Sequence, residues 1–252
     1  MTVMQKNQKT WDSLSRQYFN NFNGDEFELE AVENLYFAWP VIKKFIGKNV
    51  KNIKGKRALD FGCGTGQVCV ELNRLGFATT GIDYSKGMID VAKKNVGKGI
   101  DLFLGDSKKA VEVAKKEGQF NLIVSILTFP FVEKIEKTIK DLHNSLAKDG
   151  YLCFATFNEN WVREALKNSV DYKRPPRSRG IKKLIFDFGK NRKVDVFHRS
   201  ANEYDKILAG LGCKKLAEEY PLFTKKFVGK VYPKMPKDIS EFMILGYKKC
   251  GL

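Results

Sequence analysis

The sequence has no run of about 18 apolar residues, the length that a membrane-spanning helix needs. Its longest apolar stretch, residues 122–132, is interrupted by Ser125, Thr128 and Pro130. The polar start MTVMQKNQKT carries no apolar segment of the signal-peptide kind, so a cytoplasmic protein without a membrane partner is expected. Histidine is scarce, at two residues, and the five cysteines (Cys63, Cys69, Cys153, Cys213 and Cys250) show no CxxC spacing. No metal site is therefore expected, and the odd cysteine count points to reduced thiols. Internal repeats and low-complexity segments are also missing. Acidic charge is short: 29 Asp and Glu stand against 45 Lys and Arg, a formal net charge of +16.

Half of that excess lies in one place. Residues 161–199 hold twelve Lys or Arg against four Asp or Glu, a local charge of +8. Such a concentration attracts nucleic acid or an anionic substrate, or is a solvated lysine-rich surface. The aromatic and glycine interleaving of RNA-binding strands is not evident, so charge alone decides nothing.

The 252 residues are most simply one α/β domain. Before residue 56 the pattern is helical, with Trp11, Leu14, Tyr18 and Phe22 on one amphipathic stripe. An acidic patch, GDEFELEAVEN, separates this from a second helical stretch through Phe45. From Lys56 strands and helices alternate. Residues 57–61, 77–83, 100–104, 120–127 and 151–157 read as strands. Helices are expected over 65–75, after a Ser85 cap, over 107–116, and along Ile135, Ile139, Leu142 and Leu146 up to Gly150. Alternation of this kind means a parallel sheet with right-handed crossovers. It breaks at residue 161, where 184–188 and 193–197 look like a hairpin turning at 189–192. Ser200 and Glu203 then form a capping box for a helix that Gly212 closes, and residues 214–220 and 241–248 add two strands. The expected fold is a doubly wound, mostly parallel seven-stranded sheet with N-terminal helices and a β-hairpin insertion. Within a single domain over 1–252, residues 1–55 form a helical cap, 56–160 a binding core, 161–199 a basic insertion, and 200–252 the last helix and strands.

The stretch LDFGCGTGQ, residues 59–67, carries the chemistry. Three glycines at alternate positions between a strand and a helix permit positive φ and close approach of backbone to a ligand. A dinucleotide fingerprint needs a small residue six positions along, and counting from Gly62 that position is Gln67. A phosphate-binding P-loop needs Gly-Lys-Ser/Thr, which Gly66-Gln67-Val68 does not supply. The segment instead resembles the first motif of the class I S-adenosylmethionine-dependent methyltransferases, D/E-x-G-x-G-x-G, complete here in Asp60, Gly62, Gly64 and Gly66.

The resemblance runs in order over about residues 56–157 and implies S-adenosylmethionine as cofactor and S-adenosylhomocysteine as product. It implies that Cys63 and Gln67 belong to the cofactor loop, Cys63 through its backbone. It places Asp83, in TTGIDYSKGMIDVAKK, on the ribose hydroxyls, a role suited to an acceptor-only carboxylate. Asp106 in LFLGDS, with Gly105 and Ser107, is placed at the adenine, and Ser125, Ile126 and Leu127 under the methionine portion. Tyr84 and Met88 are candidates for the adenine face, Met88 being equally readable as helix core. Trp11 and Tyr18 match an N-terminal helix that closes over the cofactor in many relatives, or simply pack that helix on the core.

Methyl transfer from a sulfonium is an in-line displacement with an activated donor, so alignment and exclusion of water suffice and no acid or base is obligatory. The N/D/S-P-P-F/Y motif of amino- and amide-nitrogen methyltransferases is missing, since Thr128-Phe129-Pro130-Phe131 lacks the polar first residue and the second proline. The stretch VDVFHRSANEYDKILAGLGC resembles the hairpin-then-helix cover of small-molecule members of the superfamily. A small-molecule acceptor is expected, with an RNA methyltransferase or a non-catalytic cofactor-binding scaffold as alternatives. His198 is the candidate acid, base or contact on the acceptor side, against a structural role. The basic insertion and the N-terminal helix are expected to cover the carboxyl ends of the strands, with Phe186, Phe188, Val194 and Val196 turned inward.

Overall fold

The computed structural model describes residues 2–20, 37–168, 172–175, 182–189, 192–225, 228–229 and 232–250. Its centre is β1 (Arg57–Phe61), whose RALDF sequence is buried on both faces. Leu59 and Phe61 join one hydrophobic cluster and Ala58 joins the other, the alternation that a strand's period of two requires. β1 pairs in parallel with β2 (Ala78–Asp83) on one side and with β4 (Phe120–Ile126) on the other. β3 (Ile100–Leu104) extends the sheet beyond β2, and β5 (Leu146–Phe157) beyond β4. Antiparallel β10 (Phe242–Lys249) and β9 (Cys213–Glu219) complete the order β3-β2-β1-β4-β5-β10-β9. This is the expected seven-stranded, mostly parallel sheet. Strand order reverses between β1 and β4, and at such a switch point the carboxyl ends of the strands open a crevice.

Helices cover both faces. α2 (Trp39–Asn49) and α3 (Gln67–Arg74) bury Ile42, Phe45, Val68 and Leu72 against one. α5 (Ser107–Glu117), α6 (Ile135–Ser145) and α8 (Ala201–Ala209) bury Val113, Ile139, Leu142 and Tyr204 against the other. α4 (Lys86–Asn95) starts as expected from Ser85, whose side chain accepts a hydrogen bond from the Met88 N–H.

Three boundaries differ from expectation. The helix carrying Ile135 and Leu142 ends at Ser145, and Gly150 lies in β5. Leu146 turns to extended geometry and pairs with Phe120, so strand pairing rather than a glycine cap stops the helix. The helix after Ser200 ends at Ala209, with Gly210 at its cap and Gly212, at φ +75°, in the following turn. The alternation also continues past residue 161: α7 (Glu159–Lys167) buries Trp161, Val162 and Ala165.

The remainder of the insertion has a core of its own. β6 (Tyr172–Lys173), β7 (Lys183–Asp187) and β8 (Lys193–Phe197) form an antiparallel three-stranded sheet. Leu184, Val194 and Val196 are fully buried against α7, Phe223 and Phe242. The hairpin was legible and the third strand was not. Lys173 and Lys193 are exposed on these strands and Lys183 is half-buried, so these charges do not prevent packing.

α1 (Val3–Asn20) lies across the carboxyl ends and is held at two points. The Asn7 side chain exchanges two hydrogen bonds with the backbone of Asp195 on β8, at 3.0 and 2.9 Å. Asp12 accepts from the Ser85 hydroxyl at 2.6 Å and from the Gly87 N–H at 2.9 Å, capping α4 from outside. The side chain of Tyr18, the residues from Phe22 through the GDEFELEAVEN patch, and Pro176 and Gly180 lie outside the described residues.

Candidate functional site

The glycine loop leaves β1 and enters α3, and its three glycines answer to three different neighbours. Gly62 has φ +76°, and a Cβ on it would lie 2.0 Å from Thr128 Oγ1. The absent side chain there makes room for the loop after β4, not for a ligand. Gly66, at φ +90°, caps α3, and a Cβ would press on Val96 of the neighbouring helix–loop at 2.6 Å. Gly64 differs from both: φ is +52°, and a Cβ would meet nothing within 4 Å. It faces a cavity of about 870 Å³.

Asp83, at the end of β2, sets the loop's position. Its carboxylate accepts from the Gly64 N–H at 2.9 Å with one oxygen and from the Ser85 N–H at 2.8 Å with the other. Burial pushes its pKa up to about 6, with the Asp12 carboxylate adding in the same direction. Asp60 lies beneath, 2 % exposed, and accepts a weak hydrogen bond from the Cys69 thiol at 3.3 Å. Burial raises its pKa to about 7, and the charge of Asp83 adds to this.

The pair has a measurable consequence. A carboxyl group whose pKa is higher folded than unfolded stabilises the protein below its unfolded value, and that stability is lost as pH rises through the folded value. For Asp60 the window runs from about 4 to about 7. His198 acts oppositely: burial holds its pKa down to about 4, so its contribution is present above 6.5 and is lost as pH falls. The ligand-free protein with Asp60→Asn is therefore expected to gain thermal stability over the parent at pH 8 and to lose that advantage at pH 5. Melting temperatures of the two proteins at both pH values check this, and an equal difference at both would be evidence against a neutral Asp60.

The cavity brings together most of the residues singled out in the sequence. Asp60, Gly62, Cys63, Gly64, Gln67, Asp83, Tyr84, Met88, Gly105, Asp106, Ser107, Ile126, Leu127 and Trp11 line it. Asp106 caps α5 by accepting from the Lys108 N–H, and Ser107 donates to Asp141 at 2.7 Å. Leu127 adopts φ +52°, an unusual conformation for a bulky residue, at the end of β4. Thr65 and Tyr84, both on the wall, carry buried hydroxyls with no hydrogen-bond partner among the described residues. Burial keeps the Tyr84 phenol well above its usual pKa.

Three expected residues are not on the wall. Gly66 packs away from the cavity on α4. Ser125 turns its hydroxyl to the Phe61 carbonyl at 2.9 Å and is buried in the sheet. His198, read as an acceptor-side or a structural residue, is 4 % exposed just past β8 and is not on the cavity wall, and its Nε2 is buried without a hydrogen-bond partner among the described residues. Its backbone N–H donates to the Lys182 carbonyl at 2.9 Å, one residue past the hairpin strand.

On the far side of the cavity the sequence reading anticipated Phe186 and Phe188 as inward-facing and missed Phe131, Phe157, Tyr232 and Glu241. Phe131, Phe157, Phe186, Phe188, Tyr232 and Glu241 line it, from four separated segments. Arg199 braces the segment that carries Phe131, donating to the carbonyls of Phe129, Val132 and Glu133 at 3.4, 2.8 and 2.9 Å. Among the described residues no cluster of His, Cys, Asp or Glu suits a metal ion, and no helix is long and apolar enough to cross a membrane.

Known proteins resemble this chain in sequence and shape. A malonyl-[acyl-carrier protein] O-methyltransferase of Priestia megaterium is 36% identical over 111 residues, 42% of this chain and 38% of that protein. A ubiquinone biosynthesis O-methyltransferase of Coxiella burnetii is 32% identical over 128 residues, 50% of this chain and 54% of its own length. The chain thus spans about half or less of these curated relatives. In shape, an S-adenosylmethionine-dependent methyltransferase from Mesorhizobium loti superposes with a TM-score of 0.62 at 19% identity, over 83% of this chain and 96% of that one. The magnesium protoporphyrin IX methyltransferase of Synechocystis, solved with bound S-adenosylmethionine, gives 0.64 at 12% identity over 99% and 98%. These likenesses show a shared fold. The methyltransferase domain family matches residues 35–214, well over half the chain, and the chain belongs to that family.

Proposed function

We propose that the protein transfers a methyl group from S-adenosylmethionine to a small-molecule acceptor bound in the same cavity. The observation that carries this reading is the cradle at Gly64: a backbone with open space before it, fixed by the buried Asp83 carboxylate, whose pKa burial raises despite its two N–H donors. Two orphaned hydroxyls on the wall, Thr65 and Tyr84, fit the same conclusion, since buried polar groups without partners are costly. When bound, the cofactor supplies a methyl group on a positively charged sulfur. Asp83 would take the ribose hydroxyls with the lone pairs its two backbone partners leave free. Gly105, Asp106 and Tyr84 would hold the adenine, and the turn at Ile126 and Leu127 the methionine portion. Asp60 and Asp83 lower the cost of bringing a cation into this site, and a cation in turn favours their ionised forms.

α1 and the insertion exclude water. Trp11 from the helix meets Phe188 of the hairpin at 5.4 Å and Phe131 at 4.9 Å, both edge to face, so the two covers close on each other over the cavity. This supports the division of labour expected from the sequence, with the cofactor on the β1–β4 loops and the acceptor under the cover. The curated relatives are O-methyltransferases, which supports oxygen among the acceptor atoms.

Incubating the protein with labelled-methyl S-adenosylmethionine and fractionated cell extract tests the reading. Label is expected in a metabolite fraction. Label confined to RNA would replace the acceptor class, and tight cofactor binding with no incorporation anywhere would make the protein a binding scaffold.

A further inference from the structure

α1 lies across the cavity with two polar edges, and each edge is fastened to a different half of the protein. On one edge Gln8, Asp12 and Ser15 recur at helical spacing and meet the start of α4. A single oxygen of Asp12, Oδ1, accepts from the Ser85 hydroxyl at 2.6 Å and from the Gly87 N–H at 2.9 Å. The Gln8 side chain donates to the Tyr84 carbonyl at 2.9 Å. The two helices touch through backbone here, since a Cβ on Gly87 would lie 2.9 Å from the Asp12 carbonyl oxygen and 2.8 Å from Ser15 Oγ. These contacts fall on the turn that directly follows Asp83, whose carboxylate accepts from the Ser85 N–H at 2.8 Å.

The other edge of α1 meets the insertion. β8 is the outer strand in the order β6-β7-β8, so alternate backbone groups along it point away from β7. Asn7 donates to the Asp195 carbonyl and accepts from the Asp195 N–H, as a neighbouring strand would, and Thr10 donates to the Lys193 carbonyl at 3.0 Å. The Asp195 carboxylate, 6 % exposed, is held by Lys6 at 2.5 Å and by Lys183 at 3.2 Å. Between the two edges Trp11 reaches the cavity and meets Phe131 and Phe188. Neither Asp12 nor Asn7 lines the cavity, so their influence on a ligand passes through α1.

We propose that α1 is a strap that couples the two halves of the cavity, with Asp12 and Asn7 as its positioning residues. This rests on the reading that the Gly64–Asp83 side holds the cofactor. A ligand on Asp83 and Tyr84 steadies the turn into α4. Asp12 passes that order to α1, and Asn7 passes it to the outer edge of β8, beside the strand that carries Phe186. Cofactor binding thereby steadies the acceptor side, and by linkage the fastened hairpin tightens the cofactor.

Calorimetry with S-adenosylhomocysteine at pH 8 and amide hydrogen exchange, both on the full chain, test this. Asp12→Ala is expected to weaken binding about tenfold, and Asn7→Ala, at the far end of the strap, about fivefold. The double variant should bind hardly more weakly than Asp12→Ala, because a strap released at one end transmits nothing from the other. Asp12→Asn keeps an oxygen that can accept both bonds and should bind within about twofold of the parent. In the parent, S-adenosylhomocysteine should slow exchange across residues 193–197 at least about threefold, and in Asp12→Ala it should not. A merely structural Asp12 would leave that ligand effect in place. Additive losses in the double variant, or hairpin exchange in the parent indifferent to the ligand, would overturn the proposal. If S-adenosylhomocysteine failed to bind the parent, the cofactor reading would fall instead. The strap would then be decided on the ligand-free protein, where Asp12→Ala should speed exchange of the Asp195 amide and an unchanged rate would overturn it.

Discussion

Replacing Asp83 with alanine is expected to lower affinity for S-adenosylhomocysteine by at least about a hundredfold, a loss of roughly 3 kcal/mol. The reason lies in two contacts already made before any ligand arrives. One carboxylate oxygen holds the Gly64 N–H and the other holds the Ser85 N–H, so the side chain ties the glycine loop to the start of α4. Removing it leaves two buried N–H groups unsatisfied, frees the loop and deprives the ribose of its acceptor. Asp83→Asn should be intermediate, because its amide oxygen can keep one N–H while its NH₂ faces the other donor. Calorimetry of the three proteins, with circular dichroism to establish folding, measures the series. A folded Asp83→Ala variant that binds within threefold of the parent would show that the loop does not depend on Asp83.

The second large effect separates two neighbouring glycines. Gly64→Ala is expected to leave the fold nearly intact, at a cost of about 1 kcal/mol for its positive φ, and to reduce S-adenosylhomocysteine binding by on the order of a hundredfold. Its new methyl group meets no protein atom and takes up open space at the cavity wall. Gly62→Ala should do the reverse. Its methyl group would collide with Oγ1, Cγ2 and Cβ of Thr128, all within 2.7 Å, so the loss appears as instability of a few kcal/mol. The double variant Gly62→Ala with Thr128→Gly should recover part of that stability. Melting temperature and cofactor affinity, measured on each protein, distinguish the two roles. Equal effects of Gly62→Ala and Gly64→Ala on both quantities would contradict them.

How far this site could be read from the sequence follows from where its residues lie. The cofactor side is local: a strand, a glycine loop and an acid at the next strand's end repeat a geometry that needs these residue types at these spacings, and Asp60, Gly64, Asp83, Asp106 and Leu127 all line the cavity. The acceptor side is not local. Glu241 and Phe157 are neighbours because β10 enters the sheet antiparallel beside β5, a pairing with no signature in either strand. Phe186 and Phe188 were expected to face inward, but the tie of their hairpin to α1 through Asn7 and Asp195, 188 residues apart, has no local signature. His198 carried two readings in the sequence, and its burial just past β8 agrees with the structural one. Gly150 and residue 161 show the same limit at element boundaries, where strand pairing and the packing of Trp161 outweighed local stop signals.

Net charge was the least informative feature. The +16 belongs to the whole sequence, whereas the glycine-loop side of the cavity presents the buried carboxylates of Asp60 and Asp83. Carboxylates in that place suit the positively charged sulfur of the proposed cofactor.

The central claim is that the Gly64–Asp83 side of the cavity takes an S-adenosyl compound, and isothermal calorimetry on the purified protein tests it most directly. S-adenosylhomocysteine titrated at pH 8 is expected to bind one to one at about micromolar affinity, corresponding to roughly −8 kcal/mol. Under the same conditions NADH should give no measurable heat, since Gln67 occupies the place where a dinucleotide loop needs a small residue. NADH binding more tightly than S-adenosylhomocysteine would contradict the account.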